Sequence, residues 1–133
     1  MPDPLLAAKN ILVVEDDEAC RYLDKLILED AGFSFSMAVN GQEAVDKAGS
    51  AVFDAVLMDL RMPVMDGYDA TRQIREMHKD LPVIALTANA MAWEAGECQA
   101  SGMNDYLIKP FTEEQLIWML LKWTEQQNTD TII

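Results

Sequence analysis

Short, continuously apolar runs alternate with amphipathic stretches along the chain, the pattern of repeated strand–helix units around a parallel sheet. Ile11-Leu12-Val13-Val14, Ala55-Val56-Leu57-Met58 and Val83-Ile84-Ala85-Leu86 are apolar at every position, as strands covered by helices on both faces must be. These three are expected at the centre of the sheet. Phe33-Ser34-Phe35-Ser36-Met37 alternates instead, and Tyr106-Leu107-Ile108 is very short. Both suit sheet edges, where one face is less well covered.

Helices are expected in the gaps. Tyr22, Leu23, Leu26 and Ile27 form one apolar stripe at helical spacing, and Leu116, Ile117, Leu120 and Trp123 form another. Asn40 with Glu43, and Thr112 with Gln115, have capping-box spacing, while Gly32, Gly49 and Gly102 stand where helices would exit toward the next strand. The last helix is expected to end near Thr124. Right-handed crossovers joining five parallel strands commonly give the order 2-1-3-4-5, which leaves strands 2 and 5 at the edges, in agreement with their composition. The expectation is one doubly wound α/β domain of flavodoxin-like (βα)5 architecture over residues 10–124. Residues 1–9 read as an N-terminal extension, and 125–133 as a polar tail too short for an output domain.

In an open α/β sheet, ligands bind just beyond the carboxyl ends of the strands. Those positions carry Glu15-Asp16-Asp17 after strand 1, Asp59 after strand 3, Thr87 after strand 4 and Lys109-Pro110 after strand 5. Clustered carboxylates repel one another, and a cation among them makes their joint ionisation tolerable. Mg²⁺ suits the set, because it takes one or two carboxylates, keeps several waters and accepts a phosphate oxygen. Asp16 and Asp59 are the direct candidates. An acidic pair after a strand is also a common way to cap the next helix, and Asp17 is assigned that role.

A carboxylate oxygen can also attack phosphorus to form an acyl phosphate. Phosphoryl transfer asks for alignment and charge neutralisation, which Mg²⁺, the Lys109 ammonium and the Thr87 hydroxyl would supply around the moving group. Taken singly, Thr87 reads equally well as a strand-end cap and Lys109 as a surface ion pair worth at most about 1 kcal/mol. Their convergence with the acids favours the chemical reading.

Composition narrows the function classes. Half of the 133 residues are apolar, yet no run approaches the roughly 18 needed for a membrane span. Ten basic against 23 acidic residues give a net charge of −13, a field that repels nucleic acid and anionic lipid. Cys20, Cys98 and His78 make neither a disulfide framework nor a zinc ligand set. A soluble, cytoplasmic protein is expected, with no direct nucleic-acid binding and no membrane insertion.

Four ordered blocks, ILVVEDDE from Ile11, LMDLRMPVMDG from Leu57, LTANAM from Leu86 and GMNDYLIKPF from Gly102, resemble the receiver domains of two-component response regulators and hybrid histidine kinases. The resemblance spans about residues 10–124. It implies a phosphorylation switch rather than an enzyme: a domain that catalyses its own phosphorylation and slow dephosphorylation. Residue by residue, it makes Glu15 and Asp16 the acidic pair, Asp59 the phosphoacceptor and the Arg61 carbonyl a further ligand of Mg²⁺. Thr87, Lys109 and the backbone N–H of Ala88 would stabilise the phosphoryl group, and Thr87 with Tyr106 would switch the surface. A cis bond before Pro110 is implied as well. The first acid is Glu where Asp is commoner, which points to metal contact through water.

The resemblance implies a sensor histidine kinase or a histidine-containing phosphotransfer domain as partner, with the chain a monomer or a weak phosphorylation-dependent dimer. Within the resemblance, Leu86-Thr87-Ala88 followed by a small residue in the LTANAM loop looks more like receivers of hybrid kinases and phosphorelays than like those fused to DNA-binding domains. Docking is expected at the first helix, around Cys20 and Tyr22, with exposed Trp118 as the alternative anchor. Leu23 reads more readily as a packing residue. Pro63 and Gly67 bracket the loop after Asp59, and Asp66 is expected to cap the next helix.

Rival readings fare worse. A haloacid-dehalogenase-like phosphatase would place a second Asp two residues after the first, where Arg61 stands. A flavodoxin-like cofactor module needs a phosphate loop after strand 1, where three acids would repel the ligand. A receiver that only binds partners would not need the full acid, Thr and Lys set. His78 has no catalytic neighbour in the pattern.

Overall fold

The apolar runs pair as one parallel sheet of five strands in the order β2-β1-β3-β4-β5. The strands are β1 (Asn10–Val14), β2 (Ser34–Ala38), β3 (Ala55–Asp59), β4 (Val83–Thr87) and β5 (Asp105–Ile108). A computed structural model describes residues 9–129. The helices are α1 (Glu18–Ala31), α2 (Gly41–Ser50), α3 (Gly67–Met77), α4 (Met91–Glu94), α5 (Glu97–Ser101) and α6 (Glu113–Thr129). Order and edge strands are as the composition of the runs predicts. Val13 pairs with Leu57, Leu57 with Ile84 and Leu86 with Leu107, so the strand ends rise to one rim.

Alternation along each strand divides the core into two layers. Leu12, Val14, Val56, Met58, Val83 and Ala85 pack with Ala44 and Ala48 of α2 and Ala70 and Ile74 of α3. Ile11, Val13, Leu57, Ile84 and Leu86 face Leu28 of α1 and Leu116 and Leu120 of α6. Each fully buried Leu or Ile contributes about 1.5–3 kcal/mol.

Four expectations are corrected. Tyr22, Leu23 and Leu26 are exposed, because α1 turns a different face to the sheet, burying Asp24 and Leu28. Gly49 lies inside α2, which ends at Ser50 with Ala51 as its cap. Phe33 is buried but precedes β2. Finally, α6 runs on to Thr129. Glu125, Gln126 and Gln127 favour helix and no Gly or Pro interrupts them. Residues 1–8 and 130–133, most of the predicted N-terminal extension and the last part of the predicted tail, lie outside the described residues.

The caps follow the local sequence. Asn40 accepts from the Glu43 N–H at 2.8 Å, and Asp66 from the Asp69 N–H at 2.9 Å. At the start of α6 the capping box is reciprocal: the Gln115 N–H donates to Thr112 Oγ1 at 3.1 Å, and the Thr112 N–H to Gln115 Oε1 at 2.9 Å. Losing the hydroxyl strands one of the first-turn N–H groups. Thr112→Ala is therefore expected to lower unfolding stability by about 1 kcal/mol, measurable by urea titration with an unchanged m-value.

Candidate functional site

The rim formed by the carboxyl ends of β1, β3, β4 and β5 gathers most of the residues singled out above. Glu15 follows β1 and is 1% exposed. Asp16 beside it is exposed, and Asp59 closes β3. One carboxylate oxygen from each lies within 4.8 Å of the others. Arg21 of α1, which the sequence reading overlooked, clamps this loop: its Nη1 donates to the Glu15 and Asp16 carbonyls at 3.1 and 2.8 Å. Its place five and six residues after them, one helical turn beyond the Asp17 cap, was the available signal.

Lys109 reaches in from the loop after β5. Its ammonium donates to Glu15 Oε1 at 2.6 Å and lies 3.9 Å from Asp59 Oδ1. The Lys109–Pro110 peptide bond is cis. The Arg61 N–H approaches Asp59 Oδ1 at 3.5 Å. Burial, and next the Glu15 carboxyl beside it, push Asp59 up to about 8, with Lys109 and the Arg61 N–H opposing. Burial also works against the charge on Lys109, but the Glu15 hydrogen bond and the Asp59 charge outweigh it and hold the ammonium above its usual range. One ammonium does not neutralise three acids. The protein oxygens on the rim are hard donors with room for waters, a set compatible with Mg²⁺.

Asp17 stands apart as the α1 cap, accepting from the Cys20 N–H at 2.9 Å. That bond holds its carboxyl below the usual range. Thr87 Oγ1 is engaged with Asn89, donating to its carbonyl and accepting from its N–H, both at 3.1 Å. Thr87, Ala88, Arg61, Lys109 and Asp59 line one cavity of about 530 Å³. The loop after Asp59 returns so close to it that a Cβ at Gly67 would collide with the Asp59 carbonyl oxygen. Within that loop Val64 holds a left-handed φ of 71°, a conformation that disfavours β-branched side chains.

Several residues are not part of this cavity. Tyr106 is half-buried and stacks on Trp93 of α4, ring centroids 5.2 Å apart. Trp118, 62% exposed, lines a surface groove with Tyr106 and Ile108. Cys20 is half-buried in a separate groove between α1 and the Lys109 loop, and Tyr22 is 61% exposed. His78 Nε2 lies 2.8 Å from the Ala48 carbonyl, remote from the acids. Asp24 was missed. It is buried on α1, and burial, then Glu15, push its carboxyl up to about 7, with Lys109 opposing. An acid four residues before Leu28 on the sheet-facing line of the helix was its only signature.

Residues 11–132 match the family model of the response regulator receiver domain. The chain belongs to this family. It is 43% identical over 122 residues to the sensor protein GacS of Pseudomonas syringae pv. syringae, a match covering 88% of this chain and 14% of that protein. It is 35% identical to the hybrid signal transduction histidine kinase B of Dictyostelium discoideum, over 86% of this chain and 6% of that one. The receiver thus spans a small part of these relatives' length. Among solved structures it is similar to the receiver domain of the sensor histidine kinase PA1611 from Pseudomonas aeruginosa PAO1, which has a magnesium ion coordinated in its active-site cleft. The TM-score is 0.82 at 41% identity, covering 87% of this chain and 97% of that one. A complex of the Saccharomyces cerevisiae histidine phosphotransfer protein Ypd1 with the receiver domain of the response regulator Ssk1 is also similar. There the TM-score is 0.83 at 30% identity, with 90% of each chain covered. No helix among the described residues of this receiver is long and apolar enough to cross a membrane.

Proposed function

We propose that this receiver domain accepts a phosphoryl group on Asp59 from a partner's phosphohistidine and passes the event on as a change of surface. The observation that carries this is the rim itself: three carboxylates within 4.8 Å, with one ammonium reaching both Glu15 and Asp59. Asp16, Asp59 and the Arg61 carbonyl would hold Mg²⁺, with Glu15 contacting it through water because Lys109 occupies one of its oxygens. Bound there, the ion supplies positive charge against the acids and the phosphoryl oxygens. Lys109 and the Ala88 N–H complete the neutralisation. The magnesium in the PA1611 receiver supports this reading. Loss of labelling in Asp59→Asn is its decisive test.

Thr87 is the switch. Its hydroxyl exchanges Asn89 for a phosphoryl oxygen, and the space it leaves lets the Tyr106 ring move, altering the surface that carries Trp118. The working unit is taken as residues 10–124, with α6 continuing beyond it. It acts as a monomer or as a weak dimer formed on phosphorylation.

The donor is a histidine-containing phosphotransfer domain or the dimerisation domain of a sensor kinase, as the Ypd1–receiver complex supports. Exposed Tyr22 and Leu23 on α1, beside half-buried Cys20, give it an apolar landing next to the rim. Cys20→Arg is expected to lower the rate of labelling by a phosphohistidine domain, relative to that by acetyl phosphate, at least about tenfold, since bulk there obstructs a helix and not a small molecule. An unaltered ratio of the two rates would shift docking to the Trp118 face.

A further inference from the structure

Helix α1 buries an acid where its neighbours expose apolar groups. Leu23 is 57% exposed while Asp24 is 4% exposed. Among the described residues, Asp24 Oδ2 is the one buried side-chain nitrogen or oxygen without a hydrogen-bond partner. Asp24 lines a groove of about 380 Å³ together with Cys20, Leu23, Ile27, Lys109 and Phe111. Lys109 does not fill the vacancy, because its ammonium is held by Glu15 at 2.6 Å with Asp59 at 3.9 Å. Leaving a buried carboxylate oxygen unfilled destabilises the fold, whereas an apolar side chain would cover the sheet without that penalty.

We infer that the groove receives a lysine side chain of the phosphohistidine donor, its methylenes lying on Leu23, Ile27 and Phe111 and its ammonium bonding Asp24. This rests on the docking of a protein donor at α1 and names what is recognised there. A lysine stem is apolar over four carbons and keeps its charge at the tip, matching an apolar wall with one acidic point. A single unpartnered oxygen at the buried end of the groove calls for a slender single-point donor, where a guanidinium would seek two parallel acceptors. The positive charge of Lys109 on the same wall is offset by Glu15 and Asp59, so a second ammonium is not turned away. Asp24 thereby selects among donors that share the same apolar footprint.

The test is an amide NMR titration of the metal-free protein near pH 8 with hexylammonium, hexan-1-ol and hexanoate. Hexylammonium is expected to shift the amides of Cys20, Leu23, Ile27 and Phe111 saturably and to bind about tenfold or more tighter than the alcohol. Hexanoate is expected not to bind. In Asp24→Leu the preference for the amine should vanish while the alcohol still binds, and the variant should melt several degrees above the parent, since the unfilled carboxylate is gone. Equal affinity for amine and alcohol in the parent overturns the inference. So do an amine preference that survives in Asp24→Leu and amine shifts spread over the acidic surface away from the groove. With a donor domain that labels Asp59, replacing its lysines singly by Met should reveal one whose loss slows transfer tenfold to the parent and not further to Asp24→Leu; if every lysine is dispensable, the assignment to lysine is wrong. None of the titration readouts depends on phosphorylation, so failure of Asp59 as acceptor and failure of the groove are told apart.

Discussion

Asp59→Asn is expected to eliminate labelling by acetyl phosphate or phosphoramidate, read as the mass of the intact protein. The amide retains the shape of the carboxyl group but offers no anionic oxygen to attack phosphorus, so the acyl phosphate cannot form. Other carboxylates on the rim are poor substitutes. Glu15 is buried and bonded to Lys109 at 2.6 Å, and Asp17 is committed to the Cys20 N–H at 2.9 Å. Only exposed Asp16 remains open, and a trace of incorporation there is compatible with the assignment. Incorporation at the parental level would refute it.

Magnesium is expected to raise the melting temperature, and to do so more as the pH rises. The sign follows from the acids. Asp59 is pushed up to about 8 and Asp24 to about 7, both for burial first, against an ordinary carboxyl near 4. Between about pH 4 and 8 the folded chain therefore binds more protons at these two groups than the unfolded chain does, so their contribution to stability falls with rising pH. A divalent cation among Glu15, Asp16 and Asp59 relieves that charge. At a tenfold excess over its Kd it adds about 1.4 kcal/mol, or a few degrees for a domain of this size. Differential scanning fluorimetry from about pH 5 to 8, with and without Mg²⁺, reads both effects. Asp16→Ala should lose the magnesium-dependent rise and the phosphorylation together. Asp59→Asn should melt higher than the parent near pH 8 without metal, keeping only the smaller slope due to Asp24. An Asp16→Ala protein that retains the full magnesium shift would rule out the proposed coordination.

The local devices of this chain were open to sequence reading because each is set by residues a few positions apart. Thr112 with Gln115 and the Asp17 and Asp66 caps form as their spacing predicts. Asn40 caps the Glu43 N–H, while the Glu43 carboxylate accepts from the Val39 N–H, one residue earlier than a capping box requires. The central strands were legible because double-sided burial leaves no polar position in Ile11–Val14 or Val83–Leu86. The face of α1 was not. Tyr22, Leu23, Leu26 and Ile27 satisfy the helical period, yet of the four only Ile27 packs against the core, and the residues the helix buries are Asp24 and Leu28. A stripe of apolar residues records what a helix can bury, not which of its faces the sheet will take.

By itself, then, the sequence determined the alternation of elements, the two edge strands and the identity of the acids, Thr87 and Lys109 at the strand ends. Those follow from periodicity and from the rule that parallel strands present their carboxyl ends together. Tertiary structure alone decided the distances that make the rim a site. Lys109 stands 94 residues from the Glu15 it bonds, and nothing in either local stretch specifies whether it pairs with Glu15 or with Asp59. The same holds for the Trp93 stack on Tyr106 and for the unfilled oxygen of Asp24. Each is a contact between separate elements, fixed only when β1, β3, β4 and β5 come into register and the helices close over them, because side-chain partners across a fold are chosen by packing and not by spacing along the chain.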